Sequence, residues 1–216
     1  CTRQRTIERS DVVSDRLPLV AKAVRNVGHI QTRNRGTIGG SIVHGDPSAE
    51  LPLAALALEA TLVLKTTDGS REISIDGFFE AAMVTNIEPE ELLTEVRIPV
   101  WSGGRIGTGF HETASRQGDF AIVAAAAQVQ LADNGTIARA AVSAGGVAPA
   151  PAKLYAFEEA LVGKEPSEVE IEAAIALIDE EIDPNTDIHA TADYRRRVAR
   201  RLVARAVLDA AAEAGK

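Results

Sequence analysis

Apolar residues recur at helical spacing through "DRLPLVAKAVRNVG", where Leu17, Leu19, Val20, Ala23, Val24 and Val27 fall on one side of a 3.6-residue repeat. The pattern predicts helix across residues 6–27 in two pieces, with Pro18 in a first turn and Gly28 as a stop. "DPSAELPLAALALEA" predicts a short apolar helix with Asp46 as its cap and Pro47 at its first position. The period then drops to two. In "TLVLKTTDGSREISI" two β-branched runs flank Asp68-Gly69, which predicts a hairpin. "ELLTEVRIPV", residues 91–100, predicts a further strand ended by Pro99.

From Arg105 the segments "RIGTGFHETASR", "FAIVAAAAQVQLAD" and "TIARAAVSAGGVA" predict three consecutive strands, the last two joined at Asn134-Gly135. Helices are expected at 151–163, 167–182 and 191–213, with Ser167 and Glu170 spaced as a capping box. Strands and then helices, segregated along the chain, imply an α+β fold. The Ser-Gly-Gly turn at 102–104 divides the chain into residues 1–103 and 105–216.

"RNRGTIGGSIVHGDPSAELP", residues 33–52, holds Gly36, Gly39, Gly40 and Gly45 within ten positions. Glycine pairs are common in ordinary loops, and spacing alone favours that reading. The other reading is a turn whose Gly39-Gly40 backbone takes φ > 0 and comes close to an anionic cofactor, its amides forming a nest for pyrophosphate oxygens. No P-loop pattern is present, and "GRIGTG" at 104–109 has the wrong spacing and context for a dinucleotide-binding βαβ turn. His29, His44, His111 and His189 lack metal-ligand spacing, no G-x-S-x-G occurs, and neither a metal site nor a catalytic nucleophile is expected.

Charge narrows the function classes. The net charge of −8 argues against general nucleic-acid binding. One cysteine, Cys1, cannot form an internal disulfide or a cluster site, which suits a reducing, cytoplasmic setting. No apolar run reaches the roughly 20 residues that span a bilayer. The chain opens on Cys-Thr-Arg-Gln rather than Met, so an N-terminal part is expected to be absent. Arg195, Arg196, Arg197, Arg200, Arg201 and Arg205 stripe the last helix. They are read first as arginines lying over the core edge, and second as a contact with an acidic partner subunit.

Taken in order, "RNRGTIGGSIVHGDPSAELP", "EELLTEVRIPV" and "FHETASRQGDFAIVAAA" resemble the FAD-binding medium subunit of the molybdenum hydroxylases, the family of carbon monoxide dehydrogenase and xanthine dehydrogenase. The resemblance covers essentially the whole chain. It implies a PCMH-type second FAD subdomain, an antiparallel sheet with helices, and then a C-terminal domain of a three-stranded antiparallel sheet plus three helices. It carries Thr37, Ile38, Gly39, Gly40 and Ser41 over as flavin contacts, with Glu50 at the family's acidic position for ribose or adenine and Leu92 at an apolar contact. His111 stands where xanthine dehydrogenases have a lysine near the flavin, and Val27 where a larger aromatic can shield the ring system. The small first domain of the family, with its A-G-G-x-S segment, has no counterpart in these residues.

The resemblance further implies an oxidoreductase whose FAD receives electrons from [2Fe–2S] centres and passes them to NAD or another acceptor. Its partners would be a large molybdopterin subunit and a small [2Fe–2S] subunit, in a dimer of heterotrimers. The alternative is a non-enzymatic scaffold subunit of the same fold that has lost its flavin.

Overall fold

The structure, a computed structural model, describes residues 2–216; Cys1 lies outside them. The helical pattern at the start resolves into three helices rather than two: α1 (Gln4–Glu8), α2 (Asp11–Arg16) and α3 (Pro18–Val24). Ser10 starts α2 by accepting a hydrogen bond from the Val13 amide at 3.3 Å. Leu17, ahead of Pro18, is pushed out of the helical region to φ −133°, ψ 58°, which separates α2 from α3.

Two further helices occupy ground expected to be a turn: α4 (Ile30–Arg35) and α5 (Ile38–His44). The next, α6 (Glu50–Ala57), begins three residues later than a cap at Asp46 predicts. The Asp46 carboxylate instead accepts from the Ser48 amide at 2.8 Å, a local turn that competes with capping. Pro47 therefore lies outside the helix, and Pro52 sits in its first turn, where its missing N–H costs nothing.

β1 (Thr61–Lys65) and β2 (Ser70–Ser74) form the expected hairpin around Asp68-Gly69. A small hairpin of β3 (Phe79–Ala81) and β4 (Val84–Thr85) follows, and β5 (Leu92–Arg97) then pairs antiparallel with β1. The second sheet runs in chain order: β6 (Ile106–Thr113), β7 (Val123–Leu131), β8 (Ile137–Gly145) and a two-residue β9 (Ala152–Lys153). The expected three strands thus gain a short fourth. Helices α7 (Tyr155–Leu161), α8 (Glu168–Ala174), α9 (Ile178–Glu181) and α10 (Ala192–Ala214) complete the chain.

Helices cover both faces of the second sheet. Val123, Ala125, Ala127, Val129 and Leu131 of β7 face α7–α10, while Ala124 and Ala126 join the core made by α1, α3 and α6. A strand buried on both faces has no polar alternation, which explains the run "VAAAAQV". A third core, around Ile42, Leu62, Leu64, Ile75 and Phe78, lies between α5, α6 and the first sheet.

The glycines of "GRIGTG" have a packing role. A Cβ on Gly107 or Gly109 would sit 2.1 Å from the carbonyl oxygen of Ala210 or Ala206 in α10. Side-chain-free positions on edge strand β6 let the last helix lie directly on its backbone.

Of the arginine stripe of α10, only Arg195 is buried, and Arg197, Arg200, Arg201 and Arg205 stay exposed. Arg195 is buried, bonds the carbonyls of Ile122 and Gly146 and pairs with Asp187; Arg200 forks onto Asp179; Arg205 lies near Asp209. Arg195 and Arg200 thus meet acidic groups of the 179–187 segment of their own domain, as the first reading of the stripe expects.

Candidate functional site

The glycine stretch is the start of a helix. Thr37 sits at the N-cap with extended backbone, and its Oγ1 accepts from the Gly40 amide at 3.0 Å. Gly39 and Gly40 are helical, so the expectation of φ > 0 there is corrected; the left-handed glycine is Gly45 (φ +66°), which ends the helix. Ile38 and Ile42 anchor α5 in the cores beneath. The chain start braces the loop: the Gln4 amide donates to the Gly36 carbonyl at 2.9 Å, and the Ile38 amide to that of Thr2 at 3.3 Å.

Each glycine here answers to something different. A Cβ on Gly36 would lie 2.5 Å from Gln4 Oε1, and one on Gly40 would lie 2.9 Å from Thr37 Oγ1, against the cap itself. A Cβ on Gly39 would meet only Leu93 Cδ2, at an ordinary 3.8 Å. Among the described residues no contact requires glycine at 39. Of the first amides of α5, those of Ile38, Gly40 and Ser41 are bonded, whereas Gly39 N–H has no partner among the described residues. Gly39 thus offers a free donor at a helix N-terminus with no side chain over it, a feature that suits an anionic oxygen.

The remaining expected residues are placed as follows. Glu50 opens α6 with 4% exposure; burial pushes its carboxyl up to about 7, and the charges of Glu112 and Asp46 add to the shift. Leu92 begins β5 beside Gly39's neighbour Leu93, and is itself 66% exposed. His111 lies on the α10 side of β6, its Nε2 2.7 Å from Asp209 Oδ2. Val27 is buried in the N-terminal core. Thr37–Ser41 and β5 are in contact; the His111 ring is held by the opposite end of the chain.

Sequence reasoning missed Glu112. A cavity of about 270 Å³ opens between the α3–α4 junction and the β6–β7 loop, lined by Arg25, His29, Arg33, Glu112 and Gln117. Glu112 Oε2 is buried without a partner, and burial pushes this carboxyl up to about 7. His29 packs so closely on Gly118 (φ +87°) that a Cβ there would lie 2.5 Å from its ring. The strand alternation that sets His111 against α10 turns Glu112 to the other face, and this was the available signal. Among the described residues no group of three or more His, Cys, Asp or Glu could hold a metal ion, and no helix is long and apolar enough to cross a membrane.

Comparison with known proteins agrees with this architecture. A family model described as FAD binding domain in molybdopterin dehydrogenase matches residues 1–101, and one described as CO dehydrogenase flavoprotein C-terminal domain matches 108–210. The chain is 35% identical to the 6-hydroxypseudooxynicotine dehydrogenase complex subunit alpha of Paenarthrobacter nicotinovorans, over 97% of this chain and 70% of that one. It is 33% identical to the carbon monoxide dehydrogenase medium chain of Hydrogenophaga pseudoflava, over 92% and 68%. Among solved structures, carbon monoxide dehydrogenase from Hydrogenophaga pseudoflava superimposes with a TM-score of 0.93 at 33% identity, covering 98% of this chain and 73% of that one. Quinoline 2-oxidoreductase from Pseudomonas putida 86 gives 0.92 at 31%, covering 99% and 74%. With both halves matched and the α5 loop, the two sheets and α10 in place, the chain belongs to the family of FAD-binding medium subunits of molybdenum hydroxylases.

Proposed function

We propose that this chain serves an oxidoreductase complex in which electrons from [2Fe–2S] centres of a small subunit pass through FAD to NAD or another acceptor. A large molybdopterin subunit would oxidise the substrate, and the whole would be a cytoplasmic dimer of heterotrimers. FAD, when bound, supplies the redox chemistry; the chain supplies binding, orientation and electrostatics. The observation that carries the reading is Gly39, a free N–H with an open Cα face that no contact among the described residues explains.

In this reading Thr37 holds the first turn of α5 open, and Ile38, Gly39, Gly40 and Ser41 line the cofactor's approach. Leu92 presents an apolar side chain beside them. Glu50, when protonated, has an O–H to donate, and when ionised it accepts from hydroxyls. His111 acts on this region only through its strand, since its ring is engaged by Asp209. The proposed division of labour is residues 1–103 for the cofactor and 105–216 for packing against the other subunits.

The test is a visible spectrum of the natively purified complex together with the identity of the co-purifying chains. Flavin absorption with two further subunits is the expected result. A colourless complex of the same subunits would overturn the flavin role and leave a scaffold. Yellow protein with no companions would overturn the complex.

A further inference from the structure

Several carboxyls that this fold draws inward are paired. Glu8 is held by Arg5 and Arg33, Glu158 by Lys153 and the Val142 amide, and Glu213 by Lys22 and the Thr108 amide. Glu112 is different. It makes no ion pair or side-chain hydrogen bond among the described residues, and its Oε2 is buried without a partner. A buried polar atom left unpaired costs free energy, so the stability of this chain does not account for a carboxyl here. Glu112 instead lines the cavity of about 270 Å³ between the α3–α4 junction and the β6–β7 loop.

The groups that face it come from every neighbouring element. Arg25 at the end of α3, His29 at the start of α4 and Arg33 within α4 line the same cavity, and Gln117 of the β6–β7 loop adds no charge. Arg33 is committed to Glu8 and to the carbonyls of Val27 and Gly28. None of these side chains bonds Glu112 among the described residues, and its register partner on β7 is the apolar Ala124. The last neighbour is Glu50 of α6. Burial first, and the Glu112 charge after it, push the Glu50 carboxyl up. The field of Glu112 therefore reaches a residue assigned above to the cofactor.

We propose that Glu112 ties the reduction of the bound flavin to pH: neutral, it adds no charge to the cavity, and ionised, it sets a negative charge against electrons arriving at the cofactor. This rests on reading Glu50 and the α5 loop as part of the flavin site. Direct contact is not required, because a charge acts across a weakly screened interior over distances within a Debye length of about 10 Å. Burial pushes the Glu112 carboxyl up to about 7, so both of its forms are populated near neutral pH. Linkage is reciprocal: a carboxylate disfavours the electrons, and the electrons make the carboxyl hold its proton more tightly. The electrons are those that [2Fe–2S] centres supply in that reading. The proton comes from solvent water, and the O–H bond is the only bond of Glu112 that forms or breaks.

The test reads the flavin midpoint potential of the natively purified complex, by dithionite titration with redox mediators followed through the flavin absorption. Wild type and Glu112→Gln are compared at about pH 5.5 and about pH 8.5, on either side of the carboxyl's value. The two should share one potential at the lower pH, and at the higher pH the wild type should be the more negative. Glu50 and His29 are present in both proteins and cancel in the comparison. Glu112→Met, which removes a carboxyl that has no partner to strand, is the second variant and is read in the same way. Equal potentials at the higher pH with flavin bound in both proteins would overturn the proposal. So would a gap of the same size at both pH values, since an effect of the side chain that ignores pH is not its ionisation. A wild-type complex without flavin absorption overturns the flavin reading itself, and the two failures are told apart by colour.

Discussion

Lys22 and Glu213 meet across 191 positions of sequence, Nζ to Oε2 at 2.5 Å. Lys22 also donates to the Thr108 carbonyl at 2.6 Å, and the same Glu213 oxygen accepts from the Thr108 amide at 3.0 Å. Three elements, α3, β6 and α10, are thereby tied at one carboxylate. Burial alone would raise the Glu213 carboxyl, but hydrogen bonds from Lys22 and Thr108, together with the Lys22 charge, outweigh it and the net shift is downward. A depressed carboxyl contributes stability above its unfolded value and loses it as pH falls through the folded one. The pair is about two-fifths exposed, so solvent screening keeps its coupling near 1 kcal/mol. A urea-unfolding double-mutant cycle of Lys22→Met and Glu213→Gln should return that coupling at neutral pH and progressively less as pH falls below the usual carboxylate range. A value below about 0.3 kcal/mol at neutral pH would dismiss the tie.

Two glycine substitutions should behave in opposite ways. Gly109→Ala drives a methyl group into the Ala206 carbonyl, backbone against backbone, and no rotamer relieves it. The loss should reach about 3 kcal/mol or more as α10 lifts from β6. Gly39→Ala meets only Leu93 at van der Waals distance, and alanine is the better helix former by about 1 kcal/mol. That variant should unfold at the same or a higher temperature and yet retain less flavin. Equal flavin retention in Gly39→Ala and wild type would remove the assigned role of the α5 loop.

Glu50 and Glu112 give the protein a pH dependence of opposite sign to its ion pairs. Burial raises both to about 7, from 4.5. A raised carboxyl leaves full stability below the unfolded value and erodes it as pH climbs toward the folded one, here between about 4.5 and 7. Glu8 and Asp187, held near 2, erode stability only as pH falls from about 4 toward 2. Glu50→Gln should therefore stabilise the flavin-free protein at pH 8 by an amount on the order of 2–3 kcal/mol and do little at pH 4.5. Thermal melts across that range decide it; a gain of the same size at both ends would mean that the carboxyl is not titrating.

Periodicity exposed the amphipathic elements well, because a buried stripe or an alternating face is written directly in spacing. It located α3, β1, β2, β5–β8 and α10, and it placed Asn134-Gly135 at a tight turn where Gly135 has φ +86°. The misses have local causes. Asp46 looks like a cap, but its carboxylate turns to Ser48 two residues on. Thr37 caps α5, yet two glycines in the first turn, poor helix formers, made the segment look like loop. The resemblance pointed to Gly39 without a geometric feature; the structure leaves its amide unpaired and its Cα face open among the described residues. Strand alternation could have turned Glu112 away from α10, but its burial depends on α3, about ninety positions away, which alternation alone does not report. The intrachain pairing of Arg195 and Arg200 was hidden for the same reason: Asp187 and Asp179 lie in irregular or short segments whose path only tertiary packing sets.

The buried Lys153 should behave as a charge that needs its partner. Its ammonium is 1% exposed, 2.7 Å from Glu158 Oε1 and 3.0 Å from the Ala57 carbonyl at the end of α6. The same carboxylate oxygen accepts from the Val142 amide of β8 at 2.5 Å. Burial raises the Glu158 carboxyl despite the Lys153 charge, so without Lys153 that carboxylate would stand almost uncompensated. Lys153→Met should cost about 3–5 kcal/mol at pH 8. The loss should shrink as pH falls toward 5, because a protonated Glu158 no longer needs a counter-ion and can still accept from Val142. Adding Glu158→Gln to Lys153→Met keeps an amide oxygen for Val142 and removes the stranded charge, so the double variant should recover most of the stability at pH 8. If the double variant is no more stable there than Lys153→Met alone, the ammonium matters through its bond to Ala57 rather than through the ion pair.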